Sequence, residues 1–299
     1  MAIERLPEGV RLGVSPLSWT NEVLDELGGD IPLETCLSEA AGAGYQGVEL
    51  GKKFPRDPKE LRAVLNTHGL ALVSGWYSGF LAERSVDDEM EAVAQHAGLL
   101  KALGVEVMVY GPCGKMTPGT PLDISMTKRL TLTADDMATY ADRLSEFEKR
   151  LQDSYGLRMG YHHHLMMVAE TFDEISRVID RARCGLLLDT GHAIAAGFDY
   201  TKLIARFGDL ITHIHLKDVR ADRMARARSE DLSFNDSVRI GMFTVPGDGD
   251  VDFGPLAEFV KTSGYRGWLV VEAEQDPARA EAEPKAAVGR AFDFVTSLF

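Results

Sequence analysis

The chain has 299 residues, 45% apolar and 26% charged, the balance of a globular protein able to bury roughly three quarters of the surface its unfolded chain exposes. A net charge of −14 opposes the neutralisation of phosphates on which nucleic-acid binding depends. Three dispersed cysteines, Cys36, Cys113 and Cys184, offer neither a disulfide framework nor a thiolate metal site, and no apolar run approaches the ~20 residues a bilayer span needs.

Short apolar runs alternate with helix-like stretches. The first predicted strand is Val10–Val14. A helix over Leu33–Ala43 follows, with Pro32 suited to its first turn. Strands are expected at Gly47–Leu50 and Ala71–Ser74, then a helix over Val86–Leu103 with apolar residues at Met90, Val93, Ala97 and Leu100. Next come strand Glu106–Tyr110, helix Thr133–Leu151, strand Arg158–His162, helix Thr171–Arg181, and strands Gly185–Leu188, Ile211–Leu216 and Trp268–Glu272. A helix over Lys285–Leu298 closes the series. Most strands are apolar on both faces, as parallel strands covered by helices must be. In AGAGYQGVEL, THGLALVSG, KALGVEVMVYG, SYGLRMGYHH and TSGYRGWLVVE a glycine stands where a helix would stop in a left-handed cap before a buried strand. Repeating that junction around one chain predicts an α/β fold, a single (β/α)8 TIM barrel spanning residues 1–299. The segment 219–250 is too long for a tight connection and is expected to be a loop that covers the barrel mouth, with Arg220 placed to reach a ligand.

Polar residues at the C-terminal ends of barrel strands are expected to form the site. The fifth strand ends in Tyr161-His162-His163-His164, where alternation puts His162 and His164 on one face. Asp189 follows four buried positions on the sixth strand, with His192 just beyond. An Asp there is costly unless paired or bound to a cation, and it can also cap the next helix. His213, His215 and Lys217 share a face of the seventh strand, with His215 nearer the mouth as ligand and His213 deeper. Glu272 and Glu274 share a face at the end of the eighth. The set Asp189, His215, Glu272 and either His162 or His164 is a mixed nitrogen and oxygen donor group. Such a group suits manganese, magnesium or cobalt, and its second histidine draws it toward cobalt, zinc or iron. Glu272, His162, His164, His192, Lys217 and Glu49 are the candidate acid–base groups, a histidine being the choice for protonating a leaving hydroxyl. Trp19, Asn21, Glu49, Trp76, Tyr110 and Arg220 are candidate substrate-binding residues, with Tyr77 and Cys113 nearby at the mouth.

At these residues the chain resembles the xylose isomerase-like TIM barrels, through DTGH, HIHLKD and VEAE in succession. The block GVSPLSWTNEVLDELGGDIPLETCLSEAAGAGYQGVELGKKFP, with YHHH, LDTGHAIAAG, HIHLKDVR and FTVPGDGDVDFGPL, is similar to the inosose dehydratases over nearly the whole chain. That resemblance implies a metal-dependent hydro-lyase of myo-inositol catabolism that removes water from 2-keto-myo-inositol (scyllo-inosose) to give a trihydroxycyclohexane-dione. It implies manganese or cobalt held by Asp189, His215 and Glu272. It also brings glutathione as a cofactor, although no residue pattern here marks a glutathione site. Where the wider family ends the fifth strand with a glutamate ligand, this chain has His162, which breaks the paired-glutamate proton shuttle of the epimerases.

A sugar or keto-acid isomerase or epimerase is the alternative within the family. A phosphodiesterase acting on damaged DNA is opposed by the charge, and a carbohydrate-binding protein on a decayed barrel by the nearly full donor set. The expected partner is a small polyhydroxylated ketone, with neither nucleic acid nor membrane, and a homo-oligomer is compatible. The thiols fit a reducing cytoplasm, and MAIERLPEGVRLG has no apolar signal core.

Overall fold

A computed structural model describes residues 5–116 and 122–299; residues 1–4, part of the segment read above for a signal core, lie outside them. The strands are β1 (Val10–Val14), β2 (Gly47–Leu50), β3 (Ala71–Gly79), β4 (Val107–Pro112), β5 (Arg158–His162), β6 (Leu186–Asp189), β7 (Ile211–Leu216), β8 (Asp218–Val219), β9 (Phe243–Thr244) and β10 (Gly267–Val271). Eight of them close into a barrel in the order β1-β10-β7-β6-β5-β4-β3-β2, and the chain is a single (β/α)8 TIM barrel. The other two, β8 and β9, pair antiparallel.

The chain divides into two compact units. The first comprises the residues up to Val73, with Ile214–Glu230 and Asn235–Phe299. There β1 lies between β10 and β2, with Val14 opposite both Val271 and Val48. Val73, Trp268 and Val270 form part of its core. The helices Leu33–Ala43 and Pro284–Ser297 are joined through Tyr45, whose hydroxyl donates to Val288 O at 2.9 Å and whose ring meets Phe292 edge-on. The second unit comprises Ser74–His213 and Asp231–Phe234. Its helices Val86–Leu103, Ala134–Tyr155 and Phe172–Ala182 follow β3, β4 and β5. Ser85, Thr133 and Thr171 cap them, Thr171 through a reciprocal box with Glu174.

The junction glycines behave as their positions require. Gly44, Gly69, Gly104, Gly156 and Gly264 all take left-handed φ, between +67° and +103°. The junction before β6 uses Arg183, at φ +51°, for the same stop. Gly185, next in line, is needed for another reason: a Cβ there would lie 2.0 Å from Met159 O.

The structure corrects two expectations. β3 runs to Gly79, so Trp76 and Tyr77 lie within the strand and do not follow it. The segment 219–250 is not a bare loop. It holds helices Ala221–Ser229 and Phe234–Arg239 and the β8–β9 ribbon, and Val219, Ala227, Phe234, Val238, Met242, Phe243 and Val245 are buried. Its base is tied by Asp218, whose carboxylate accepts from the amides of Val219, Gly247, Gly249 and Val251 at 2.8 to 3.1 Å. In the second unit its tip is fastened by Thr127, whose hydroxyl donates to Asp231 at 2.8 Å, and by a bridge between Ser125 and Ser233.

Candidate metal centre

In the second unit, the end of β5 and the end of β6 face each other. His162 directs Nδ1 to His163 O at 2.9 Å. A carbonyl only accepts, so Nδ1 carries the hydrogen and Nε2 keeps the lone pair. That Nε2 faces Asp189 Oδ2 at 3.5 Å. The other carboxylate oxygen, Oδ1, accepts from the His192 amide at 2.7 Å and caps the short helix Thr190–Ala195. The capping and ligand readings of Asp189 therefore coexist, one on each oxygen. His163 points the other way, as alternation expects, and its Nε2 accepts from the Asp189 amide at 3.3 Å.

Two further imidazoles lie beside this pair. His164 donates through Nδ1 to Leu165 O at 2.6 Å. Its ring centroid is 3.8 Å from that of His192. Phe234, on the tip of the excursion, covers both rings at 5.0 and 6.1 Å. Trp76 meets His162 and His164 edge-on at 5.4 and 6.0 Å, donates from Nε1 to Ser78 Oγ at 2.9 Å, and stays 37% exposed.

In the first unit, β2, β7 and β10 carry a buried charge ladder. His215 has a carboxylate oxygen 3.0 Å from each ring nitrogen: Glu49 Oε1 at Nε2 and Glu272 Oε2 at Nδ1. A neutral imidazole donates through one nitrogen only, so this arrangement calls for a positive charge, on the ring itself or on a cation beside it. Lys217, 1% exposed, reaches Glu272 Oε2 at 2.9 Å and Glu274 Oε2 at 2.8 Å, and sits 5.1 Å from the Phe243 ring centroid. His162 and Asp189 in the second unit, and Glu49, His215 and Glu272 in the first, are buried nitrogen and oxygen donors of the kind a divalent metal ion takes.

Several residues expected to touch substrate have partners within the protein. Trp19 is fully buried and donates from Nε1 to Glu39 Oε2 at 2.6 Å. The Asn21 amide oxygen accepts from Val23 N and Leu24 N and shapes a turn. Tyr110 is fully buried in an aromatic layer with Tyr77, Phe147 and Tyr161. Burial holds its phenol well above the usual range. Arg220 donates to Gly241 O at 2.9 Å and Thr244 Oγ1 at 2.8 Å, a strut within the excursion. Glu49 is bonded to His215. Cys113 has its thiol pushed up to about 11 by burial, and no disulfide links the described cysteines. Phe234 was not anticipated; its only mark in the sequence is an apolar residue inside a polar stretch.

The xylose isomerase-like TIM barrel family matches residues 37–298. A rhizopine catabolism protein, MocC, of Rhizobium meliloti is 43% identical over 94% of this chain and 86% of its own. An inosose dehydratase of Geobacillus thermodenitrificans is 40% identical over 91% of this chain and 92% of its own. Among solved structures, the IolI protein with a bound zinc atom superposes with a TM-score of 0.65 at 18% identity, covering 96% of this chain and 97% of that one. Among the described residues no helix is long and apolar enough to cross a membrane.

Proposed function

This chain belongs to the xylose isomerase-like TIM barrel family, within the group that holds the inosose dehydratases, and from that premise we propose that it is a metal-dependent hydro-lyase acting on 2-keto-myo-inositol. Holding the metal would fall to His162, Asp189, His215 and Glu272. The observation that carries this is the hydrogen placement in the His162–Asp189 pair. With the ring neutral, the imidazole nitrogen facing the carboxylate carries a lone pair, and a cation held between the two atoms satisfies both in a buried site. Two imidazoles and two carboxylates suit manganese, cobalt or zinc.

A divalent ion bound there supplies Lewis acidity to a ketone oxygen. Dehydration then needs a proton taken from the carbon beside the ketone and another given to the hydroxyl on the next carbon, which leaves as water. Glu272 is the carboxylate available for the first task. Lys217, held between Glu272 and Glu274, sets a cation against those two carboxylates in a buried site. For the second task the close pair His164 and His192 offers two imidazoles, the side chain suited to handing a proton to a leaving hydroxyl. Trp76 presents an apolar ring beside His162 and His164, suited to one face of a cyclic polyol. The substrate assignment is supported by the inosose dehydratase relatives. It is also supported by His162 at the end of β5, which leaves only one glutamate, Glu272, in the donor set and so lacks the opposed pair that epimerisation uses.

The test is metal analysis of the purified protein with an assay on scyllo-inosose, following absorbance of the enolic dione. Metal is expected in wild type and absent from a triple alanine variant of Asp189, His215 and Glu272. Efficient epimerisation of ketoses with inosose left untouched would replace this function with the isomerase alternative.

A further inference from the structure

We infer that Glu49 is a positioning residue that selects Nδ1 of His215 as the metal-binding nitrogen, an assignment resting on the metal centre proposed above. Glu49 lies at the end of β2, 6% exposed, on a strand buried throughout. A carboxylate so placed is costly without a hydrogen-bonding partner. It has one in His215 Nε2, at 3.0 Å. A neutral ring has one hydrogen for two carboxylates, Glu49 at Nε2 and Glu272 Oε2 at Nδ1, both 3.0 Å away. Glu272 belongs to the proposed donor set and Glu49 does not, so with the metal bound the hydrogen is assigned to Nε2, toward Glu49, and Nδ1 to the metal. The ring is thus fixed in tautomer and in rotation by a residue on another strand.

This separates Glu49 from the substrate-binding role its position suggests. Its reach is taken up by His215, and its charge raises the basicity of the ring nitrogen opposite. Removing that charge should weaken the metal site without touching a ligand.

The experiment titrates metal-free protein with Co²⁺, following the visible absorption of the bound ion, in wild type, Glu49→Gln, Glu49→Leu and His215→Ala. Glu49→Gln keeps the shape and one acceptor and is expected to bind Co²⁺ about tenfold more weakly; Glu49→Leu should lose up to about a hundredfold, the range for removing a partner behind a metal ligand. Both should shift the Co²⁺ spectrum while thermal midpoints of the metal-free proteins change little. A role confined to packing would lower those midpoints and leave the spectrum of the bound ion as in wild type. Glu49→Gln carries the test if the leucine variant does not fold. Wild-type affinity and spectrum in Glu49→Gln overturn this inference alone. Wild-type affinity in His215→Ala, or no Co²⁺ binding by wild type, overturns the metal centre and this inference with it.

Discussion

Replacing Gly111 by alanine should weaken substrate binding without disabling the fold. Gly111 sits in β4, and a Cβ built on it lies 1.9 Å from Trp76 Cζ2 and 2.4 Å from Cε2 and Cη2. Tight but ordinary contact begins near 3.4 Å, so the indole must retreat by about 1.5 Å, the difference between 3.4 and 1.9. The glycine has no left-handed φ, so alanine meets no backbone strain there. A shift of that size breaks the 2.9 Å bond from Trp76 Nε1 to Ser78 Oγ and spoils the edge contacts with His162 and His164. The bond is worth about 0.5–1.5 kcal/mol net. Trp76 is already 37% exposed and can swing outward, so the stability cost should be only about 1–2 kcal/mol, a fall in Tm of roughly 2–4 °C. The cost to binding should be larger in effect. Losing the ring as a platform for a cyclic polyol should raise KM about tenfold, which is 1.4 kcal/mol, with kcat less affected. Steady-state kinetics on scyllo-inosose for Gly111→Ala and Trp76→Ala, with thermal melts of both, make the comparison. A KM within twofold of wild type in both variants refutes the platform. A raised KM in Gly111→Ala alone refutes the route through Trp76.

Three further outcomes are expected. Asp218→Ala removes four backbone partners at once and should lower stability by roughly 3–5 kcal/mol, seen as an earlier urea midpoint; an unchanged midpoint would mean the excursion is held elsewhere. Glu281 is held down to about 2 by its own backbone amide and by Arg279 and Arg223. Its folded value lies below its unfolded one, so its contribution is full above the ordinary carboxylate range and fades as pH falls toward that value; Glu281→Gln should be less stable than wild type at neutral pH and converge with it in strong acid. His162→Glu should keep the fold while losing most dehydratase activity, checked by circular dichroism and the inosose assay; undiminished turnover would show that the imidazole at the end of β5 is dispensable.

The barrel was legible because two local signals repeat. Apolar strands and left-handed stops recur, and Gly44, Gly69, Gly104, Gly156 and Gly264 sit where those stops fall. The polar ends of β5, β6, β7 and β10 stood out for the same reason, as costly residues after buried runs. What stayed hidden was which side of a strand faces which layer. Tyr110 and Trp19 look like mouth residues by position, yet one joins an aromatic layer and the other anchors a helix through Glu39. Neither partner is near in sequence. Arg220 shows the same limit, because its acceptors Gly241 and Thr244 lie more than twenty residues away. The length of β3 was misjudged because Gly75 ends an apolar run that the strand continues past.

The knot at Asp218 also bears on how much this region can change. It closes the base of the excursion through amides at Gly247, Gly249 and Val251, so the two ends meet whatever lies between them. Lengthening a chain between fixed ends costs little, about 0.6 kcal/mol for each doubling. The stretch beyond Val219 is therefore a graft site. Residues can be added at its exposed turn, Arg228–Glu230, while the anchors at Asp218 and Asp231 and the buried Ala227, Phe234 and Val238 are kept.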